Sequence, residues 1–341
     1  MTSVDSRDAG RRLRGRSLLF AGIGLLAAAA MVPVVVIALN APASPPPMAS
    51  MAVPLQRVSL PEVPPSRQFQ ARDGASLQYY AYPAEPDKVA VLVHGTAGPG
   101  TSMHSLAEQL RAAGVTTYVL DIRGHGGSGR RGDIDYIGQL DDDLVDFVRE
   151  LGPAQNGATR TLVGFSGGAG FTVRFAGGPN GLLFDRYVFL APIFPGAPTW
   201  RPNAGGWVSP SVPRIATIVW LNRLGIHWFD GFPVIRYAVA PDRSDVTASY
   251  SYRLLVNFGA GGGQHETYLR NIRRPAAVFV GGADEQVVAD QFTPLLQRLG
   301  LNIPVTIIPN MTHRDMIAAP EALQVVARAI SRTDAFASKL D

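Results

Sequence analysis

TLVGFSGGAGFTVRFA, residues 161–176, is the stretch whose reading decides the fold. Thr161–Phe165 is short and apolar without alternation, the pattern of a strand buried on both faces. Gly168–Ala176 reads as a helix. At the junction, Gly164-Phe165-Ser166-Gly167-Gly168 fits G-x-S-x-G. Such a turn is sharp and strained, and it lifts the serine Oγ above the sheet edge. Small neighbours are required because the helix must start close to the strand. The helix N-terminus also turns free N–H groups toward any negative charge that develops there. In a chain with 36 glycines the bland reading is a βα turn whose serine only caps a helix. The strand and helix flanks favour the first reading.

Outward from this turn the pattern repeats. Val89–Val93, Thr117–Leu120, Tyr187–Leu190, Ala277–Val280 and Val305–Ile308 read as further buried strands. Ser102–Ala113, Tyr136–Leu151, Ala289–Leu299 and Pro320–Ser331 read as helices between and after them. Arg67–Arg72 and Ser76–Tyr82 form a hairpin about Asp73-Gly74. Alternating β and α elements predict an α/β fold, a mostly parallel sheet covered by helices on both faces. One connection breaks the scheme: residues 191–276 make 86 residues where about 4–6 are usual, so they are an inserted element. All four tryptophans (Trp200, Trp207, Trp220 and Trp228) lie in it, and Ile215–Trp228 reads as a helix facing substrate or membrane.

A serine needs a base to take its proton. Of six histidines, His94, His104 and His125 precede Ser166, and His227 and His265 lie inside the insertion. His313 follows the last strand by a short loop and is the candidate base. Asp284 follows Ala277–Val280, at the strand end where open α/β sheets carry their chemistry, and completes the order Ser…Asp…His. Glu285 beside it is the alternative acid. Val93-His94-Gly95-Thr96-Ala97-Gly98 follows the first buried strand, so the N–H groups of Thr96 and Gly167 are the candidate oxyanion donors. His94 reads as a packed structural residue. No metal site is expected: Asp141-Asp142-Asp143 lie on a helix, diverge, and read as a solvated face. No phosphate loop is present and no cofactor is expected.

These motifs resemble the α/β-hydrolases, in the branch of monoacylglycerol lipases, lysophospholipases and serine aminopeptidases. The likeness rests on His94-Gly95, Asp121-Ile122-Arg123-Gly124-His125-Gly126-Gly127-Ser128, the Ser166 elbow, and the Asp284 and His313 loops, over roughly residues 67–335. It implies that the Arg-Gly-His-Gly segment is a structural loop and that the insertion is the cap. His-Gly-Thr-Ala-Gly departs from the His-Gly-Gly-Gly of many esterases, so that motif says nothing about substrate.

The chain has 341 residues, no cysteine, 31 basic and 27 acidic side chains and a pI near 9.5. Without cysteine there is no disulfide scaffold and no thiol nucleophile. Residues 1–16 hold five arginines against two aspartates, leaving 26 basic and 25 acidic residues elsewhere. The basic pI is therefore a topology signal and not a mark of nucleic-acid binding. Ser17–Leu39 is an uncharged run of 23 residues, about 35 Å as a helix against a bilayer core of roughly 30 Å. It reads as a single-pass membrane helix with residues 1–16 cytoplasmic and the rest on the outer side. A signal peptide cleaved near Ala41-Pro42-Ala43 is the alternative. Residues 40–66 carry eight prolines and read as a stiff tether to a domain at 67–341.

The expected function is a serine hydrolase acting on a hydrophobic ester, because the cap is rich in aromatics and poor in acidic groups. An aminopeptidase or amidase, and a binding module without catalysis, are the competing readings.

Overall fold

The computed structural model describes residues 30–48, 61–85, 87–153, 157–240, 243–259 and 263–332, together with Gly24, Ala28 and Ser50. The basic tail 1–16, the first part of the expected membrane helix and residues 51–60 of the tether lie outside them. Among the described residues no helix is long and apolar enough to cross a membrane.

The strands are β1 (Ser66–Gln70), β2 (Ser76–Tyr82), β3 (Lys88–Val93), β4 (Thr116–Leu120), β5 (Thr159–Phe165), β6 (Arg186–Leu190), β7 (Val208–Pro210), β8 (Pro233–Tyr237), β9 (Ser249–Ser251), β10 (Ala276–Gly281) and β11 (Val305–Ile308). Eight of them form one sheet in the order β1-β2-β4-β3-β5-β6-β10-β11. The β1–β2 hairpin and its pairing with β4 are antiparallel; every other pairing is parallel. Val91, Leu92, Val93, Leu162, Val163, Val188 and Phe189 are fully buried, as expected of strands covered on both faces. The covering helices are α1 (His104–Ala112), α2 (Gln139–Glu150), α3 (Gly167–Ala176), α7 (Phe292–Arg298) and α8 (Pro320–Ser331). The insertion contributes α4 (Val212–Arg223), α5 (Tyr252–Phe258) and α6 (His265–Asn271), and β7, β8 and β9 pair as a small antiparallel sheet.

The described residues divide into two compact units. One comprises those up to Ala41 with Ser211–Trp228. There the hydroxyl of Ser211 donates to the Asn40 carbonyl at 2.6 Å. Met31, Val32, Leu39, Trp220, Leu224 and Trp228 are exposed. The other unit, Pro42–Pro210 with Phe229 onward, holds the sheet and the candidate site.

Three sequence readings are corrected. The lid helix expected at Ile215–Trp228 runs from Val212 to Arg223, with a proline in its first turn and Gly225 in the left-handed region (φ 77°) just beyond its end. The tether is not free of the domain: the Met48 N–H bonds the Ala238 carbonyl at 3.3 Å, and Met48 packs against the core. Asp141, Asp142 and Asp143 do diverge, but not all into solvent. Each meets a different arginine, Arg174, Arg72 and Arg123, at 2.7 Å, and Asp143 is buried.

Candidate active site

The elbow after β5 has the strain its sequence implies. Ser166 has φ 57° and ψ −123°, a left-handed conformation that costs about 1–3 kcal/mol and persists only where the surroundings enforce it. Its N–H bonds the Leu190 carbonyl at 2.8 Å, which fixes the turn to β6. The flanking glycines are steric necessities: a Cβ on Gly164 would lie 2.4 Å from the Gly168 carbonyl oxygen, and one on Gly168 would lie 2.2 Å from the His94 carbonyl oxygen. Ser166 thereby stands at the start of α3 with only 3% of its surface exposed.

His313 arrives from the loop after β11. That loop is tied by Asp315, whose carboxylate accepts from the Thr312 N–H at 3.0 Å and the Thr312 hydroxyl at 2.6 Å. The imidazole is fully buried beside Phe165, with ring centroids 4.9 Å apart. Its Nε2 lies 2.8 Å from Ser166 Oγ and its Nδ1 2.8 Å from Asp284 Oδ2. Asp284, in the turn after β10, spends its other oxygen on the N–H groups of Gln286 (2.8 Å) and Val287 (3.0 Å). The carboxylate is thus an acceptor at every contact, which assigns the proton to His313 Nδ1 and leaves Nε2 free to accept from serine. Glu285, the alternative acid, does not face the ring: its Oε2 accepts from the His313 N–H at 3.0 Å.

Thr96 and Gly167 adjoin each other. A Cβ on Gly167 would fall 2.4 Å from Thr96 Cγ2, and one on Gly95 would fall 3.1 Å from Ser166 Cβ. The Gly167 N–H opens α3 and has no intrahelical acceptor. His94 is the packed structural residue expected, fully buried between the Gly95 carbonyl (2.8 Å from Nδ1) and the Ile122 N–H (3.2 Å from Nε2). Burial pushes its pKa down. The Asp121–Ser128 segment is likewise structural: Asp121 accepts from the N–H groups of Gly100 and Gly127, and Arg123 donates to Asp143. No group of three or more metal-binding side chains occurs among the described residues.

A cavity of about 330 Å³ adjoins the site, walled by Gly95–Pro99, Phe165, Trp207, Ala238–Ala240, Val246 and Ile317, with Arg243, Asp245 and Arg314 also in its lining. Trp207 of the insertion donates to the Thr96 hydroxyl, and Tyr250 accepts from the Ala97 N–H. Sequence reasoning missed both, because nothing in their spacing separates them from the insertion's other aromatics.

The chemistry available is that of an activated hydroxyl: a serine at a helix N-terminus, a base in contact with it, and a buried carboxylate that orients the base.

Comparisons with known proteins agree with this architecture. Residues 84–317 match the family model described as serine aminopeptidase, S33. A monoacylglycerol lipase of Mycolicibacterium smegmatis is 30% identical over 181 residues, which is 51% of this chain and 58% of that protein, less than two thirds of its length. In fold, the chain is similar to the monoacylglycerol lipase of Paleococcus ferrophilus (TM-score 0.58, 18% identity, 75% of this chain and 98% of that one). It is also similar to a soluble variant of monoglyceride lipase from Saccharomyces cerevisiae bound to a substrate analog (TM-score 0.60, 15% identity, 84% and 100%). The family match takes in well over half of the sequence, so the chain, which shares its fold with both lipase structures, belongs to the serine aminopeptidase S33 family.

Proposed function

We propose that this protein hydrolyses carboxylic esters through Ser166, His313 and Asp284. The observation that carries the reading is the unbroken path from Asp284 Oδ2 through both ring nitrogens of His313 to Ser166 Oγ, 2.8 Å at each step. Ser166 Oγ attacks the ester carbonyl while His313 Nε2 takes its proton. The resulting oxyanion is met by the N–H groups of Thr96 and Gly167. Collapse of the tetrahedral species releases the alcohol, which leaves with the proton from His313, and an acyl group remains on Ser166. Water, deprotonated by His313, then repeats the sequence and frees the acid. Asp284 stays ionised throughout and stabilises the imidazolium.

An ester with a hydrophobic part suits the cavity, whose walls are mostly apolar. The likeness to a monoacylglycerol lipase points the same way. The aminopeptidase reading needs a carboxylate to hold a free α-amino group. The cavity's Asp245 is already engaged by Arg243, through two hydrogen bonds of 2.6 Å. A module that only binds has no use for the complete Ser-His-Asp path.

The same reading keeps residues 17–39 as a membrane anchor with the hydrolase on the outer side. Its support is the uncharged run behind five arginines and the exposure of Met31, Val32, Val35 and Leu39. Fractionation tests it: the chain should stay with the membrane after a carbonate wash, and a soluble product beginning near Ser44 would mean a cleaved signal instead.

Activity on a panel of p-nitrophenyl esters set beside amino-acid p-nitroanilides tests the reaction class. Turnover of esters is expected; turnover of the anilides with negligible esterase activity would reverse the assignment to amidase.

A further inference from the structure

The insertion does more than line the cavity: it grips Thr96, the residue that supplies the first oxyanion donor, and Ala97 directly after it. Trp207 Nε1–H donates to Thr96 Oγ1 at 3.0 Å. The Ala97 N–H donates to Tyr250 Oη at 2.8 Å, and the Thr247 N–H donates to the Ala97 carbonyl at 2.8 Å. Two successive residues are thus held by three hydrogen bonds, all from partners between residues 207 and 250. Ala97 needs holding. Its φ is 66°, a conformation that an L residue keeps only when its surroundings impose it.

Tyr250 is itself oriented. It is fully buried, with Tyr237 edge-on at 4.7 Å and Phe258 at 6.0 Å between ring centroids. Its oxygen accepts from Ala97, so its own proton goes to His125 Nε2, 2.5 Å away. His125 Nδ1–H in turn donates to the Ile122 carbonyl at 3.3 Å. This directionality requires a neutral imidazole. Burial, and then the neighbouring His94, push the His125 pKa well below its ordinary value. The histidine of the Arg-Gly-His-Gly segment therefore has a specific task. Its Nε2 accepts the hydrogen bond from the tyrosine hydroxyl, so that the phenol oxygen is presented to Ala97 as an acceptor.

We infer that Tyr250, backed by His125 and assisted by Trp207, is a positioning residue for the oxyanion hole, so that the cap sets the geometry of the Thr96 N–H and with it the turnover of the bound ester. This rests on the ester-hydrolase reading above. An oxyanion donor acts in the transition state and not on the bound ester, so displacing it should lower kcat and leave KM nearly unchanged. Removing such a donor outright costs about 10²–10³ in kcat, and displacing it should cost somewhat less.

The test is Tyr250→Phe in the full chain, which removes one oxygen and keeps the ring. With p-nitrophenyl butyrate, kcat should fall about 10- to 100-fold, with KM within about twofold of wild type. Affinity for an alkyl boronic acid, whose serine adduct is tetrahedral and places an oxygen in the hole, should fall by a similar factor. The thermal midpoint should move only a few degrees. Unchanged kcat would overturn the inference, as would a fall in kcat with boronate affinity intact. Should Tyr250→Phe fail to fold, Trp207→Phe takes its place, with the same split between kcat and KM expected and the same contrary results decisive. Wild-type measurements separate this inference from the reading beneath it. A wild-type protein inert to both ester and fluorophosphonate overturns the hydrolase assignment and this inference together. An active wild type with a fully active Tyr250→Phe overturns the inference alone.

Discussion

His313 Nε2 and Ser166 Oγ lie 2.8 Å apart although 147 residues separate them in the chain. The contact exists because β5 and β11 run parallel in one sheet, so that the turns after both strands open at the same edge.

Changing His313 or the Asp284 behind it should act on turnover far more than on folding. His313→Ala should lower kcat by about 10³-fold or more, and Asp284→Asn by about 10⁴-fold, because the amide permits the wrong imidazole tautomer. Glu285 should not rescue Asp284→Asn, since its carboxylate is committed to the His313 main chain. Steady-state ester hydrolysis with circular dichroism as the fold control checks this. An Asp284→Asn enzyme within tenfold of wild type would remove Asp284 from the account.

The contact of Gly167 with Thr96 predicts a suppressor. Gly167→Ala places a methyl 2.4 Å from Thr96 Cγ2, and since Trp207 pins the Thr96 hydroxyl, Thr96 should shift as a whole. A fall of about 10- to 100-fold in kcat should follow, since small displacements of an aligned donor cost that much. Adding Thr96→Ser removes Cγ2 and keeps the hydroxyl that Trp207 bonds, so the double variant should recover most of the lost rate. A double variant as slow as Gly167→Ala would show that the loss has another source.

Acid should loosen the hold of α5 on the Asp133 loop. Arg253, on α5, grips both oxygens of this carboxylate at 2.8 and 2.7 Å. Burial pushes the Asp133 pKa up, but the bonds from Arg253 and Ser251 outweigh it and hold the group below its ordinary value. The folded state therefore binds the proton less well than the unfolded chain. The pair's stabilisation is complete above about pH 4–5 and is lost as pH falls through the folded-state value. Asp133→Asn should cost about 1–3 kcal/mol at pH 7 and much less near pH 3. Urea unfolding at the two pH values measures it, and an equal loss at both would contradict the ion-pair account.

Most of the sheet and the three residues Ser166, Asp284 and His313 were legible in the sequence. Each of the three sits where a continuous apolar run stops, and in a parallel sheet those stops share one edge. The elbow was legible because its glycines answer to close backbone approaches that local sequence records. What stayed hidden depends on contacts between distant segments. Asp143 read as solvated because a helical run of three aspartates does not say which of them faces Arg123. Residues 40–66 read only as a stiff tether because proline content reports stiffness and not the bond from Met48 to Ala238. Tyr250 and His125 lie 125 residues apart, and neither carries a local sign of the hydrogen bond between them.

The most direct measurement is covalent labelling by a fluorophosphonate, followed by peptide mass spectrometry. A single adduct on Ser166, formed by wild type and not by Ser166→Ala or His313→Ala, is the expected result. A folded wild-type protein that takes up no label at Ser166, or a Ser166→Ala variant that still hydrolyses esters at the wild-type rate, would contradict the assignment of Ser166 as the nucleophile.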